Sequence, residues 1–333
     1  MKIPCFSGAV AIVTACAAFG VAAGSAAATP DSRLLATYQP ATQLDPLESF
    51  RPSSVQSFIG DASLEQPVTS STWSVVDPDP EPGDLPAAGA GVFRLNQESC
   101  SPAATLGGLA CYAAAADEGS GGPVVYGRVA HEDDRIVLQY WYFYYDDVYS
   151  YFYPPSDAIW QAHEGDWEDV NVVLSADEQP LEVGYSQHCL GERRAWGAAG
   201  LTLIDGTHPL DFVAVGSHAN YFNDDPSTHP IDLHCVPRQA LAILAALHLP
   251  PPVDRTGAGE LAGPLEAGGT VTTIHRIGDG VHAWEGFPGF WGEQQYFHAP
   301  PVGTVPFDNS PTGPAFHDVW ADPLGVIAGW QVG

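Results

Sequence analysis

The segment from Gln139 to Tyr145 (QYWYFYY) is so dense in aromatic residues that it reads as a β-strand built into a core. A second apolar strand runs from Val170 to Leu174. Between the two lies His163-Glu164-Gly165-Asp166-Trp167-Glu168, an imidazole and three carboxylates within six residues. Residues two apart in a strand share a face, so Asp166 and Glu168 are expected to project to one side. His163 is expected to enter from the preceding loop, with Gly165 permitting the bend. An imidazole and two or more carboxylates that converge would hold a hard cation or zinc.

Further strand signals crowd around this pair. Val124 to Val129, Arg135 to Tyr145, Asp166 to Leu174, Leu181 to Ser186, Leu201 to Ile204 and Phe212 to Val215 are short, β-branched or aromatic, and separated by turn residues. The spacing predicts a mainly β chain, an antiparallel β-sandwich with a few short helices. Arg238 to Leu247 (RQALAILAAL) predicts a helix, stopped by Pro250-Pro251-Pro252. A shorter helix is expected near Asp31 to Tyr38. Residues 29–86 read as a poorly ordered N-terminal extension, ending in the acid- and proline-rich stretch Val76 to Pro86. Residues 87–333 read as a single sandwich domain.

Met1-Lys2, an apolar run from Ile3 to Ala23 and the A-x-A signal Ala26-Ala27-Ala28 predict a signal peptide over residues 1–28, and so a secreted or extracytoplasmic protein. A membrane anchor is one alternative. A lipoprotein anchored at Cys16, after Val13-Thr14-Ala15, is another. No other segment is apolar enough to span a bilayer. The net charge is −29; removing residues 1–28 takes away Lys2 and no acid, which leaves −30. Lys2 is the sole lysine, so ten arginines carry the remaining positive charge. That balance argues against nucleic acid and against docking on anionic lipid. Cys100, Cys111, Cys189 and Cys235 lie beyond the leader and admit three pairings. Proximity favours Cys100–Cys111 with Cys189–Cys235, and export favours disulfides over a metal site.

QYWYFYYDD at 139–147, HEGDWEDVNVVLS at 163–175, YSQH at 185–188 and VAVGSHANYF at 213–222 follow one another in the order that the vacuolar protein sorting-associated protein 62 family shows. The chain resembles that family and its plant relatives over residues 120–300; the resemblance names no reaction. Ala162 to Glu168 is more distantly similar to the G-H-R-H-D-W-E hallmark of the necrosis- and ethylene-inducing-peptide-like (NLP) toxins. Those are secreted β-sandwiches that hold a divalent cation and bind sphingolipid sugar headgroups. Carried over by position, that likeness implies metal ligands at Asp146, His163, Asp166 and Glu168. The chain departs from the hallmark at Ala162, Glu164 and Gly165, and its loop from Asp147 to Ala162 is longer. Metal binding follows more readily than toxicity.

Mostly oxygen ligands favour calcium, magnesium or manganese over zinc. Asp169 and Glu164 are expected to be solvated. His188 and His218, each ending a strand-like run, are the candidate catalytic groups, able to complete the metal shell or act as general acid or base. Ser217 lacks a G-x-S-x-G elbow and is expected to bond backbone in a turn. Tyr149 to Tyr153 are expected to pack in a loop, or else to form an exposed sugar-stacking rim. The leading functional reading is a divalent-cation protein that recognises a small polar ligand, glycan or lipid headgroup, at a membrane surface in one version. The alternatives are a metal-dependent hydrolase or lyase, and a purely structural extracellular domain.

Overall fold

The aromatic run becomes the middle of the largest sheet. In the computed structural model, which describes residues 29–333 except 71, 98–99, 101–110, 117–121, 151–158, 226–228, 237, 249–250, 295, 300–302 and 307–308, that sheet has seven strands. In spatial order they are β17 (Thr273–Arg276), β5 (Val124–Glu132), β6 (Arg135–Ser150), β7 (Ile159–Ser175), β8 (Pro180–Gln187), β9 (Leu190–Ala195) and β20 (Gln331–Val332). β5 to β9 form an antiparallel meander. A second sheet runs β10 (Leu203–Ile204), β11 (His208–Val213), β1 (Ala41–Leu44), β15 (Leu261–Gly263) and β16 (Thr270–Val271), with β12 (Asn220–Tyr221) paired to β11. Three small sheets join β2 (Ser63–Pro67) to β3 (Trp73–Asp77) and β4 (Arg94–Asn96), β13 (His229–Pro230) to β14 (Val253–Asp254), and β18 (Tyr296–Ala299) to β19 (Gly303–Pro306). None of the sheets closes into a barrel. The protein is mainly β, with few helices.

The expected antiparallel pattern holds for the meander but not throughout. β17 and β20 add to the large sheet in parallel, and β1–β11 and β15–β16 are parallel too. Each of these pairs unites segments that no tight hairpin joins, and a parallel pair needs such a connection.

β6 and β7 are 16 and 17 residues long, well beyond the usual five or six. Strand alternation predicts that half of the aromatic run faces a core; instead Tyr140, Trp141, Tyr142, Phe143, Tyr144 and Tyr145 are all buried. On one face, Phe143 and Trp167 pack with Phe58, Trp284 and Trp291. On the other, Tyr144 stacks on His218, and the Tyr140 hydroxyl donates to the Leu35 carbonyl. A sheet covered on both sides has no solvated face to leave polar.

Much of that covering comes from the segment expected to be poorly ordered. Leu34 and Leu35 on the helix Pro30–Thr37, and Val55, Phe58 and Ile59 on the helix Val55–Gly60, are buried in the core. Its polar composition conceals a few well-placed apolar residues. The helix Arg238–Leu247 forms as expected, and so do the disulfides Cys100–Cys111 and Cys189–Cys235. The leader over 1–28, with Cys16, and the aromatic residues Tyr151 to Tyr153 lie outside the described residues.

Candidate metal centre

The β6–β7 ladder sets Tyr142 opposite Glu168, Tyr144 opposite Asp166, Asp146 opposite Glu164 and Asp147 opposite His163. His163 therefore lies within the strand rather than in a loop before it. In an unbroken strand His163 and Asp166, three residues apart, would face opposite ways. Gly165 breaks the alternation. Its φ is +60°, a conformation that side-chain-bearing residues seldom adopt, and a Cβ there would lie 1.8 Å from the Trp291 carbonyl oxygen. Beyond this bend His163 and Asp147 turn to the side of Asp166. Ligand atoms from Asp147, His163 and Asp166 then lie within 4.8 Å of one another, and all three residues are buried.

The imidazole is preset for this arrangement. Nδ1 of His163 lies 2.8 Å from the Gly165 carbonyl, which can only accept, so Nδ1 carries the proton. In the neutral ring, Nε2 then presents a lone pair, and it sits 3.4 Å from Oδ2 of Asp147. Two electron-rich atoms held this close need a proton or a cation between them. Burial, partly offset by His163, pushes the Asp147 carboxyl up to about 7.

His218 supports Asp166 from behind. Its Nδ1 is 2.9 Å from Asp166 Oδ2, its Nε2 is 3.5 Å from Glu48 Oε1, and its ring stacks on Tyr144 at 3.8 Å. Burial disfavours the charged imidazole, but Glu48 and Asp166 outweigh it and hold the His218 pKa well above its usual value. Glu48 is in turn fixed by the Gly216 and Phe50 amides at 2.6 and 2.7 Å.

The four expected ligands separate in space. His163 and Asp166 meet, with Asp147 as the third member. Asp146 is fully buried and pairs across the ladder with Glu164; burial and the nearby Glu164 carboxylate raise its pKa well above the usual range. Glu168 accepts from the Ser186 hydroxyl, and burial with the Asp166 charge raises it likewise. Glu164 and Asp169 are buried, not solvated. Glu164 accepts from Tyr112 Oη at 2.6 Å and from the Gln97 and Glu293 amides. Asp169 accepts from Asn171 Nδ2. Burial pushes both carboxyls up to about 7.

A second polar group adjoins the first. His188 Nε2 lies 2.6 Å from Asp254 Oδ2, which also accepts from Tyr221 Oη at 2.6 Å; Ser217 Oγ donates to Asp254 Oδ1 at 2.8 Å. Ser217 thus bonds a carboxylate rather than turn backbone. Because Asp254 stands between Ser217 and His188, the three do not form a nucleophile–base relay. Burial raises and His188 lowers the Asp254 pKa, and the net shift is downward. Asp147, Glu48 and Asp254 escape a sequence reading. Asp147 adjoins Asp146 in sequence and is singled out only by the β6–β7 register, which sets it opposite His163, and the other two come from distant segments.

No family model matches the chain, and no curated protein matches it. The resemblance to the vacuolar protein sorting-associated protein 62 family therefore finds no support. Solved structures of necrosis- and ethylene-inducing proteins are distantly similar. NLPPya in complex with glucosamine is 11% identical over 89% of each chain, with a TM-score of 0.38. Necrosis and Ethylene inducing Protein 2 from the causal agent of cocoa's witches' broom disease is 18% identical over 65% of this chain and 79% of its own, at 0.31. Non-toxic HaNLP3 is 16% identical at a TM-score of 0.31, and the match spans 56% of this chain and 64% of HaNLP3.

Proposed function

We propose that the protein binds a divalent cation through Asp147, His163 and Asp166 and uses it to hold a polar, oxygen-rich ligand. The observation that carries this reading is the 3.4 Å approach of His163 Nε2 to Asp147 Oδ2, with Asp166 completing the group. Three protein ligands leave a hexacoordinate cation with further positions for water or ligand oxygens. Two carboxylates and one imidazole suit magnesium, manganese or calcium. Glu168 and Asp146 are further buried acids within electrostatic reach of Asp166 and Asp147.

His218 has one ring nitrogen on Asp166 and the other beside Glu48, so it orients Asp166 rather than acting as a general base. That arrangement favours binding over hydrolysis. The two larger sheets are read as the layers of a β-sandwich, and two disulfides suit an extracytoplasmic setting. A glycan or lipid headgroup, rich in hydroxyls, is the ligand class proposed. Among the described residues no helix is long and apolar enough to cross a membrane.

The test is metal content and thermal unfolding of the purified protein with EDTA, then with calcium, magnesium, manganese or zinc. A stoichiometric cation that raises the unfolding temperature in the parent and not in His163→Ala supports the reading. No retained cation under any of the four conditions overturns it.

A further inference from the structure

Between the two larger sheets lies a polar group that the Asp147–His163–Asp166 site does not use. Tyr142 stands opposite Glu168 and Tyr144 opposite Asp166, and both share the face of β6 that carries Tyr140. Tyr140 stands opposite Val170, and Val170 opposite Tyr185, which puts Tyr185 on that face too. The second sheet meets this face through β11. Its Phe212 packs in a small separate cluster, with Leu210 against it, whereas Val213 joins the main core with the tyrosines. Residues two apart in a strand share a face, so Asp211 projects with Val213 into that core. The Tyr185 hydroxyl spans the same gap and donates to the Leu210 carbonyl at 3.0 Å.

Asp211, Tyr142 and Tyr144 are all buried. Neither carboxylate oxygen of Asp211 and neither tyrosine hydroxyl makes a hydrogen bond to a described residue. Burial apart, Asp211 is the strongest influence on the hydroxyls of Tyr142, Tyr144 and Tyr185, which places its charge among them. The Tyr221 amide favours that charge, but burial outweighs it. Buried polar groups are nearly always matched, and an unmatched carboxylate is among the costliest exceptions. Four oxygens of this kind on facing strands point to a partner held among them. Each hydroxyl hydrogen can rotate, so both phenols can turn a lone pair toward that partner. The set is all oxygen, which suits a hard cation. It carries one negative charge, which one monovalent cation neutralises; a divalent cation would leave a positive charge buried and unpaired.

We infer that Asp211, with the hydroxyls of Tyr142 and Tyr144, forms a second and separate site between the sheets that holds a monovalent alkali cation, sodium or potassium. The ion ties β11 of one sheet to β6 of the other. It does not depend on the divalent site, whose ligands come from β6 and β7 alone.

The test is thermal unfolding of the full chain in EDTA, which removes divalent ions, in sodium, potassium or choline chloride at equal ionic strength. Choline is too large for a closed site between packed sheets. One alkali salt should raise the unfolding temperature above that in choline by at least about 2 °C at about ten times the dissociation constant, and the salt that does so identifies the ion. Asp211→Asn should abolish the rise and leave manganese affinity at the divalent site unchanged, and Tyr142→Phe should weaken the rise. Equal unfolding in all three salts means that a proton or water satisfies Asp211, and it overturns the inference. So does a rise that survives in Asp211→Asn, or a loss of manganese binding in that variant, which would make the two sites one. Should Asp211→Asn fail to fold, crystals of the parent soaked in thallium(I) decide. An anomalous peak between Asp211 and the two hydroxyls supports the site, and no peak there overturns it.

Discussion

Asp147 and His163 face each other across neighbouring strands with Oδ2 3.4 Å from Nε2, while the adjacent Asp146 pairs with Glu164. One position in the strand separates a carboxylate that can reach a cation from one that is buried beside another acid. Asp147→Asn should therefore weaken cation binding by at least ~10-fold. Asp146→Asn should leave it within a few-fold, because Asp146 pairs across the ladder with Glu164, and burial beside that acid disfavours its charged form. Calorimetric titration of both variants with manganese checks this; equal losses would show that the two residues share the site.

Gly165 is the pivot of the arrangement. Gly165→Ala places a methyl 1.8 Å from the Trp291 carbonyl oxygen in a left-handed conformation. The conformation alone costs roughly 1–2 kcal/mol, and the clash adds to it. Urea unfolding should report a loss above about 2 kcal/mol, with cation affinity falling as His163 moves away from Asp166. A variant as stable as the parent would mean that the bend is not needed.

Tyr112 holds Glu164 from the helical turn that follows Cys111. Tyr112→Phe removes the donor to a buried carboxyl and should cost about 1–3 kcal/mol in chemical unfolding. Because Glu164 neighbours His163, the same variant should loosen the cation modestly. An unchanged unfolding midpoint would show that the Gln97 and Glu293 amides suffice.

Asp169 gives the cation-free protein an unusual pH dependence. Its carboxyl ordinarily titrates at 3.8 and is raised by burial to about 7, so the folded state binds its proton more tightly than the unfolded chain does. Between these values the native state carries more protons, so stability falls as pH rises from about 4 to about 7 and then levels off. Glu164, raised in the same direction, adds to the slope. Thermal unfolding in EDTA across this range should show the decline, a few kcal/mol at most, and Asp169→Asn should flatten it. Rising stability from pH 4 to 7 would contradict the burial of these acids.

Local pattern was enough for the β-rich character of the chain and for the helix Arg238–Leu247, and it drew attention to His163 and Asp166, which the structure brings together. Aromatic strands, helix periodicity and the density of titratable groups all operate over a few residues, and so they are visible without a fold. The same locality misled where period and composition stand in for packing. Alternation implied a solvated side for residues 140–145, but segments before and after them cover both faces. A polar composition hid Leu35 and Phe58, which the core takes in. Whether Asp146 or Asp147 meets His163 depends on the β6–β7 register, which sets Asp147 opposite His163 and Asp146 opposite Glu164, and the bend at Gly165 lies where Trp291 approaches from 126 residues further along the chain. The supports on which the site rests, Glu48 behind His218 and Asp254 behind His188, are likewise distant in sequence. Only the packing of those segments against β6, β7 and β8 brings their charges within hydrogen-bonding range, and no spacing along the chain encodes that distance.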